Sequence, residues 1–198
     1  MFLDLSIPAY TWGNVEFCVL GLLMMFPHSL YDFKLAFSRG LSLFYSSSLG
    51  SIQVAVKKLL TLGLIEIHER STQGRAKIMY RITDAGRAFF VAQFTAPIPS
   101  GRLEETILAR YHFLGLIERQ ERVEVLFFLT RAIETGLTEL QTLKSGYDRQ
   151  TIPEAWQEIA YYQLGTADYG ISAHQTGLAW FKNQLMQEQQ RLEEQNKL

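Results

Sequence analysis

The chain has 198 residues, 47% of them hydrophobic and 20% charged, enough apolar material for one large core or two small ones, which excludes disordered and fibrous classes. The formal net charge is −1, yet residues 1–95 hold nine basic and six acidic residues and residues 96–198 hold ten and fourteen, so the halves carry +3 and −4 and suggest two jobs. One cysteine, Cys18, excludes an internal disulfide and a cysteine-ligated zinc site; with no apolar run near the ~18 residues that span a bilayer and no signal-type start, a cytoplasmic protein without a membrane partner is expected.

In chain order, Val15 to Phe26 is almost wholly apolar and is stopped by Pro27, which predicts a buried first helix. Cys18 lies inside it with no cationic neighbour in sequence, so it reads as a small buried hydrophobe rather than a reactive thiol. Ser29 caps a second helix from Leu30 to about Arg39, with Phe33 and Phe37 on one face and Gly40 at its end. Ser46, Ser47 and Ser48 supply N-cap oxygens for a third helix, in which Ile52, Val56, Leu59 and Leu60 recur at helical spacing until Gly63. Its opposite face carries Ser51, Gln53, Lys57 and Lys58. Leu64 to Arg70 and Lys77 to Thr83 alternate as two strands of a hairpin, its Ser71–Arg75 turn built around Gly74. Thr83 caps a fourth helix that begins at Asp84. A break at Thr95–Gly101, with two prolines and a glycine, sets the expected boundary between domains 1–95 and 102–198.

Three helices, a hairpin and a fourth helix make the layout of a winged helix-turn-helix. Its third helix suits a major groove and its hairpin, the wing, suits flanking phosphates. Charge placement agrees: residues 28–82 hold eight basic residues (Lys34, Arg39, Lys57, Lys58, Arg70, Arg75, Lys77, Arg81) against Asp32, Glu66 and Glu69. The competing reading is a winged-helix protein-interaction or adaptor module, with these charges forming an ordinary solvated face.

These residues resemble the PadR-type transcriptional regulators over residues 15–90. Leu20-Gly21-Leu22-Leu23, then Pro27 and Tyr31, are similar to the family's opening, with Leu30 at the usual glycine. Gly50-Ser51-Ile52, Ala55, Lys57, Leu59, Gly63, Leu64 and Ile65 follow its recognition region, except that Gln53-Val54 replaces the common Tyr-Pro. Gly74-Arg75, Lys77, Tyr80-Arg81-Ile82-Thr83 and Ala85-Gly86-Arg87 match its wing. The resemblance implies a dimeric repressor, sometimes an activator, on a two-fold symmetric operator in double-stranded DNA. Carried over by position, Ser51 and Lys57 on the recognition helix and Arg75 and Lys77 on the wing are the matching candidates for DNA contact. The Gln53 carboxamide suits adenine, a contact worth roughly 1 to 3 kcal/mol of discrimination. Tyr31 matches a family position, but a tyrosine between packed helices reads first as core.

The second half is predicted to be helical. Leu103, Ile107, Tyr111, Leu114 and Ile117 line one helix; Leu126, Ile133, Leu140 and Tyr147 recur every seven residues in the next, with Leu129 and Leu143 between them and Gly136 interrupting. From Pro153 to about Gln195 a helix roughly 60 Å long is expected, with Leu164, Ile171, Leu178, Leu185 and Leu192 repeating every seven residues. Such a seam calls for a second subunit. The expected fold is therefore mainly α with a small β-hairpin, an N-terminal winged helix-turn-helix plus a C-terminal long-helix dimerisation domain, similar to the family's virulence-activator-like branch. Phe181 joins the expected dimer interface, and a homodimer would set two recognition helices ~34–36 Å apart. Trp156, Tyr162 and Trp180 form a candidate pocket for a small aromatic effector, against the plainer reading of interface packing. His174 on the seam reads as a hydrogen-bonded interface residue. The four histidines are scattered and no nucleophile elbow, phosphate loop or dinucleotide fingerprint is present, so neither catalysis nor a metal or other cofactor is expected.

Overall fold

The computed structural model describes residues 12–41, 47–71, 77–99, 101–146 and 152–197. The chain divides into two compact units, residues 1–116 and 117–198. Among the described residues, no helix is long and apolar enough to cross a membrane.

The first unit is a winged helix. Helix α1 (Asn14–Met25) is buried nearly all round, Cys18, Val19 and Leu20 completely, as its unbroken apolar composition requires, and it contacts α3, α4, α5 and β3. A two-residue strand β1 (His28–Ser29) leads into α2 (Leu30–Arg39). The Ser29 cap is reciprocal: Asp32 N donates to Ser29 Oγ at 3.3 Å and Ser29 N donates to Asp32 Oδ2 at 2.9 Å. Helix α3 (Leu49–Thr61) is followed by β2 (Ile65–Ser71), β3 (Lys77–Ile82) and α4 (Asp84–Ala92). Gly63 sits at φ +67°, the left-handed turn that ends α3.

The sheet is antiparallel with order β1-β3-β2, and a register shift between Ile67 and Glu69 interrupts the β2–β3 ladder. Sequence alternation predicts the hairpin but not β1, which is too short to carry a period. The alternation also overstates the core: Tyr80 and Ile82 are buried whereas Ile67 and Ile78, beyond the root of the wing, are exposed. His28 is buried between Phe26 and Phe33, its ring nitrogen Nδ1 2.8 Å from Phe26 O.

Helix α5 (Leu103–His112) and a 3-10 turn (Leu114–Leu116) complete this unit, so the expected boundary at 95–101 is corrected to follow Leu116. The reason is packing. Phe113 seats its ring against Gly21 of α1, joins the Phe17–Phe90–Phe94 cluster, and Arg110 Nη1 donates to Phe94 O at 3.1 Å. The proline-rich link is thus an internal corner of the unit.

The second unit is a helical hairpin of α6 (Arg119–Ser145), a 3-10 turn (Glu154–Trp156) and α7 (Gln157–Gln195). Its ion pairs run in opposite senses along the two helices: Arg122 and Arg119 on Glu188 at 3.5 and 3.6 Å, Lys182 on Glu134 at 2.8 Å, then Lys144 on Asp168. The pairing is therefore antiparallel. Gly136 does not interrupt α6, because tertiary packing overrides the ~1 kcal/mol cost of one helical glycine. Leu126, Leu129 and Ile133 are buried, Leu143 is exposed, and Tyr147 lies outside the described residues.

Candidate nucleic-acid interface

Helix α3 projects its polar face outward because the other face is claimed by the core. Ile52, Ala55, Val56 and Leu59 are buried, which leaves Gly50, Ser51, Gln53, Val54, Lys57 and Thr61 exposed. Ser48 caps the helix, accepting from Ser51 N at 3.1 Å, and the Ser48 and Ser51 hydroxyls lie 2.9 Å apart. Ser51 therefore stands at the first turn with its hydroxyl tied to the cap. Lys57 is exposed, and among the described residues no ion pair engages it.

Lys58 departs from the sequence reading. Its ammonium lies 3.0 Å from Glu16 Oε1 and 4.2 Å from the centre of the Trp12 ring, so it pins α3 to α1 instead of joining the outward face. One step along a helix turns a side chain by about 100°, enough to separate Lys57 from Lys58. Lys77, at the start of β3, pairs with Asp32 at 3.2 Å while staying half exposed. Partial burial pushes the Asp32 carboxyl up, but the hydrogen bonds from Ser29 and the Lys77 ammonium outweigh it and hold the group below its usual value. Arg81 bonds Glu66 at 2.6 Å across the ladder. Arg75, with the Gly74 turn, lies outside the described residues.

Two exposed side chains escaped sequence reasoning. Tyr31, expected in the core, is 69% exposed at the first turn of α2, because Phe33 and Phe37 take the buried face. Val54 is 68% exposed on α3. Its spacing of three from Ser51 and Lys57 was a readable signal, masked by its apolar chemistry.

The seam of α7 faces its own chain. Leu164 and Phe181 are buried within the α6–α7 hairpin, while Ile171, Leu178, Leu185 and Leu192 are half-buried. Leu164 and Phe181 thus serve this hairpin's core, correcting their expected place on a partner. The apolar side chains that α7 leaves exposed are Ile159, Tyr161, Tyr162, Tyr169, Trp180 and Met186. Trp156, Tyr162 and Trp180 do not converge: all are exposed, and eighteen residues of helix put Tyr162 and Trp180 about 27 Å apart. His174 Nδ1 lies 2.8 Å from Gly170 O of its own helix.

No family model and no curated protein matches the chain. Among solved structures it is similar to Bacillus subtilis PadR in complex with operator DNA, at 22% identity over 89% of this chain and 99% of that one, TM-score 0.42. It is similar also to a PadR-like transcriptional regulator from Bacillus cereus, at 24% identity over 89% and 99%, TM-score 0.37. The Vibrio cholerae virulence activator AphA aligns at 16% identity over 90% and 99%, TM-score 0.37.

Proposed function

We propose that the chain is a PadR-type regulator of transcription, a cytoplasmic homodimer that binds double-stranded DNA at a two-fold symmetric operator and represses by occupying it. The observation that carries this reading is the outward face of α3. A capped helix presents Gln53, Val54 and Lys57 to solvent above a buried Ile52–Ala55–Val56–Leu59 face, with the β2–β3 hairpin next in the chain. Gln53 supplies a bidentate amide for adenine, and Lys57, with Arg75 and Lys77 on the wing, supplies charge for phosphates. Ser51 and the exposed Tyr31 hydroxyl suit backbone contacts, and Lys58 acts by fixing α3 on α1. Dimerisation uses the exposed aromatic face of α7 together with the open edges of Ile171, Leu178, Leu185 and Leu192.

Fluorescence anisotropy against duplex from immediately upstream of the coding region, with a scrambled duplex beside it, tests the reading between 50 and 200 mM salt. The expected result is a preference above about a hundredfold, and a salt slope that falls by about 0.9 when Lys57 is replaced by alanine and loses one phosphate contact. Absence of binding at 50 mM salt would move the assignment to a protein-docking winged helix, a reading favoured by the internal pairing of Lys58, Lys77 and Arg81 with Glu16, Asp32 and Glu66.

A further inference from the structure

A lone exposed valine calls for no account on an ordinary surface, but Val54, 68% exposed, stands within the face that α3 turns to solvent. Gln53 precedes it and Lys57 follows one turn later, and both are exposed. Its own helix leaves it open. Of the neighbours three and four positions away, Gly50 carries no side chain, the Ser51 hydroxyl is tied 2.9 Å from that of Ser48, and Lys58 reaches back to Glu16 at 3.0 Å. Helical side chains lean toward the N-terminus, so the isopropyl group lies over the bare Gly50 turn, where a ligand surface can approach closely. Valine is also among the weaker helix formers and, exposed here, adds little to the core, so neither propensity nor packing accounts for it.

With α3 taken as the helix that enters the major groove, the reading on which this rests, the chemistry facing Val54 is narrow. Base edges in that groove offer hydrogen-bond donors and acceptors and one apolar feature, the C5-methyl group of thymine. An isopropyl group pressed on a guanine, adenine or cytosine edge strips water from polar atoms and returns no hydrogen bond, whereas on thymine it covers a methyl. We infer that Val54 is a specificity-determining residue that reads the thymine methyl. The amide of Gln53 and the isopropyl group of Val54 then select A·T pairs through two different chemistries, one polar and one apolar.

The test uses the full-length chain and a duplex that it selects from a pool randomised over about two helical turns. Each thymine of the selected duplex is replaced singly by deoxyuridine, which removes the methyl and keeps every Watson–Crick hydrogen bond, and affinity is read by fluorescence anisotropy at one fixed salt concentration. One thymine in each half-site is expected to lose about fourfold, the fold-change that corresponds to ~0.8 kcal/mol for one buried methyl-sized group. Val54→Ala should bind the parent duplex severalfold more weakly and lose less than about twofold further at that thymine, whereas Lys57→Ala, which weakens every duplex alike, should keep the full penalty. The melting temperature of Val54→Ala is expected to be unchanged or raised, since alanine is the better helix former, which separates a lost contact from a lost fold. If selection enriches no sequence and a scrambled duplex binds equally, the reading of α3 as a groove-reading helix falls and the role of Val54 with it. A duplex bound specifically in which no thymine responds, or in which Val54→Ala keeps the full deoxyuridine penalty, overturns the role of Val54 alone.

Discussion

Replacing Gly86 by alanine will unseat the wing from α4. A Cβ at this position would lie 1.9 Å from Leu64 O and 2.8 Å from Ile82 Cγ1, so the carbonyl would have to retreat by about 1.5 Å to reach ordinary contact. It is not free to do so. Leu64 O accepts from Thr83 N at 3.1 Å, and the same threonine donates to Gly63 O at 2.8 Å and caps Gly86 N at 3.1 Å. Alanine gains up to about 1 kcal/mol in helix propensity. Against that stand overpacking of about 1–3 kcal/mol and the loss of one or two hydrogen bonds at about 1 kcal/mol each. The net cost is about 2–3 kcal/mol, which for a unit of this size lowers the midpoint by roughly 10 °C. Scanning calorimetry reads it in the transition of the first unit, with that of the α6–α7 hairpin as internal reference. A Gly86→Ala protein as stable as the parent, or more stable, refutes the reasoning, because helix propensity alone would then have decided the outcome.

In the second unit, Glu188→Ala leaves Arg119, Arg122 and Arg191 without the carboxylate they share; the expected loss is about 2 kcal/mol, below the range for fully buried pairs because the arginines keep solvent, and urea unfolding of the helical signal measures it. Cys18 is fully buried and burial pushes its thiol far above the ordinary value, so a disulfide reagent should fail to modify the native protein near neutral pH and react fully once it is unfolded. Asp32 has a lowered folded-state pKa, so its contribution to stability is present above the unfolded carboxyl value near 3.9 and is lost as pH falls through the lower folded value. Carbon-detected NMR titration should find that carboxyl shifted upward in Lys77→Met, and an unchanged midpoint would remove Lys77 from the account.

Local chemistry was the legible part of the sequence. Ser29, the Ser46–Ser48 run and Thr83 were readable as sources of caps because a hydroxyl followed by a helical apolar period has one economical use, and Leu30–Arg39 forms where that reading places it; which of the three serines caps α3, Ser48, only the structure shows. The domain boundary was not legible, since Pro97 and Pro99 look alike whether they separate units or turn a corner within one. What decides is Phe113 meeting Gly21, ninety-two positions away in sequence. The seven-residue repeat of α7 carried the same ambiguity, because a period marks an apolar face without naming its cover, here α6 of the same chain. At the candidate interface, Lys57 was legible from its place on the outward face of α3. Lys58 was not, because its Glu16 and Trp12 partners lie more than forty residues away.

The central place of β3 gives the hairpin the mechanics of a cantilever. At its root, Met79 and Tyr80 are flanked by strands on both sides, β1 at Ser29 and His28 and β2 at Glu69 and Ile67. Past the register shift, Ile78 and Lys77 keep β2 alone as a neighbour. Bending is then easiest in the outer ribbon, while the clamped root transmits little of it to the helices behind. A beam of this kind can bend at its tip and leave the angle of α3 unchanged.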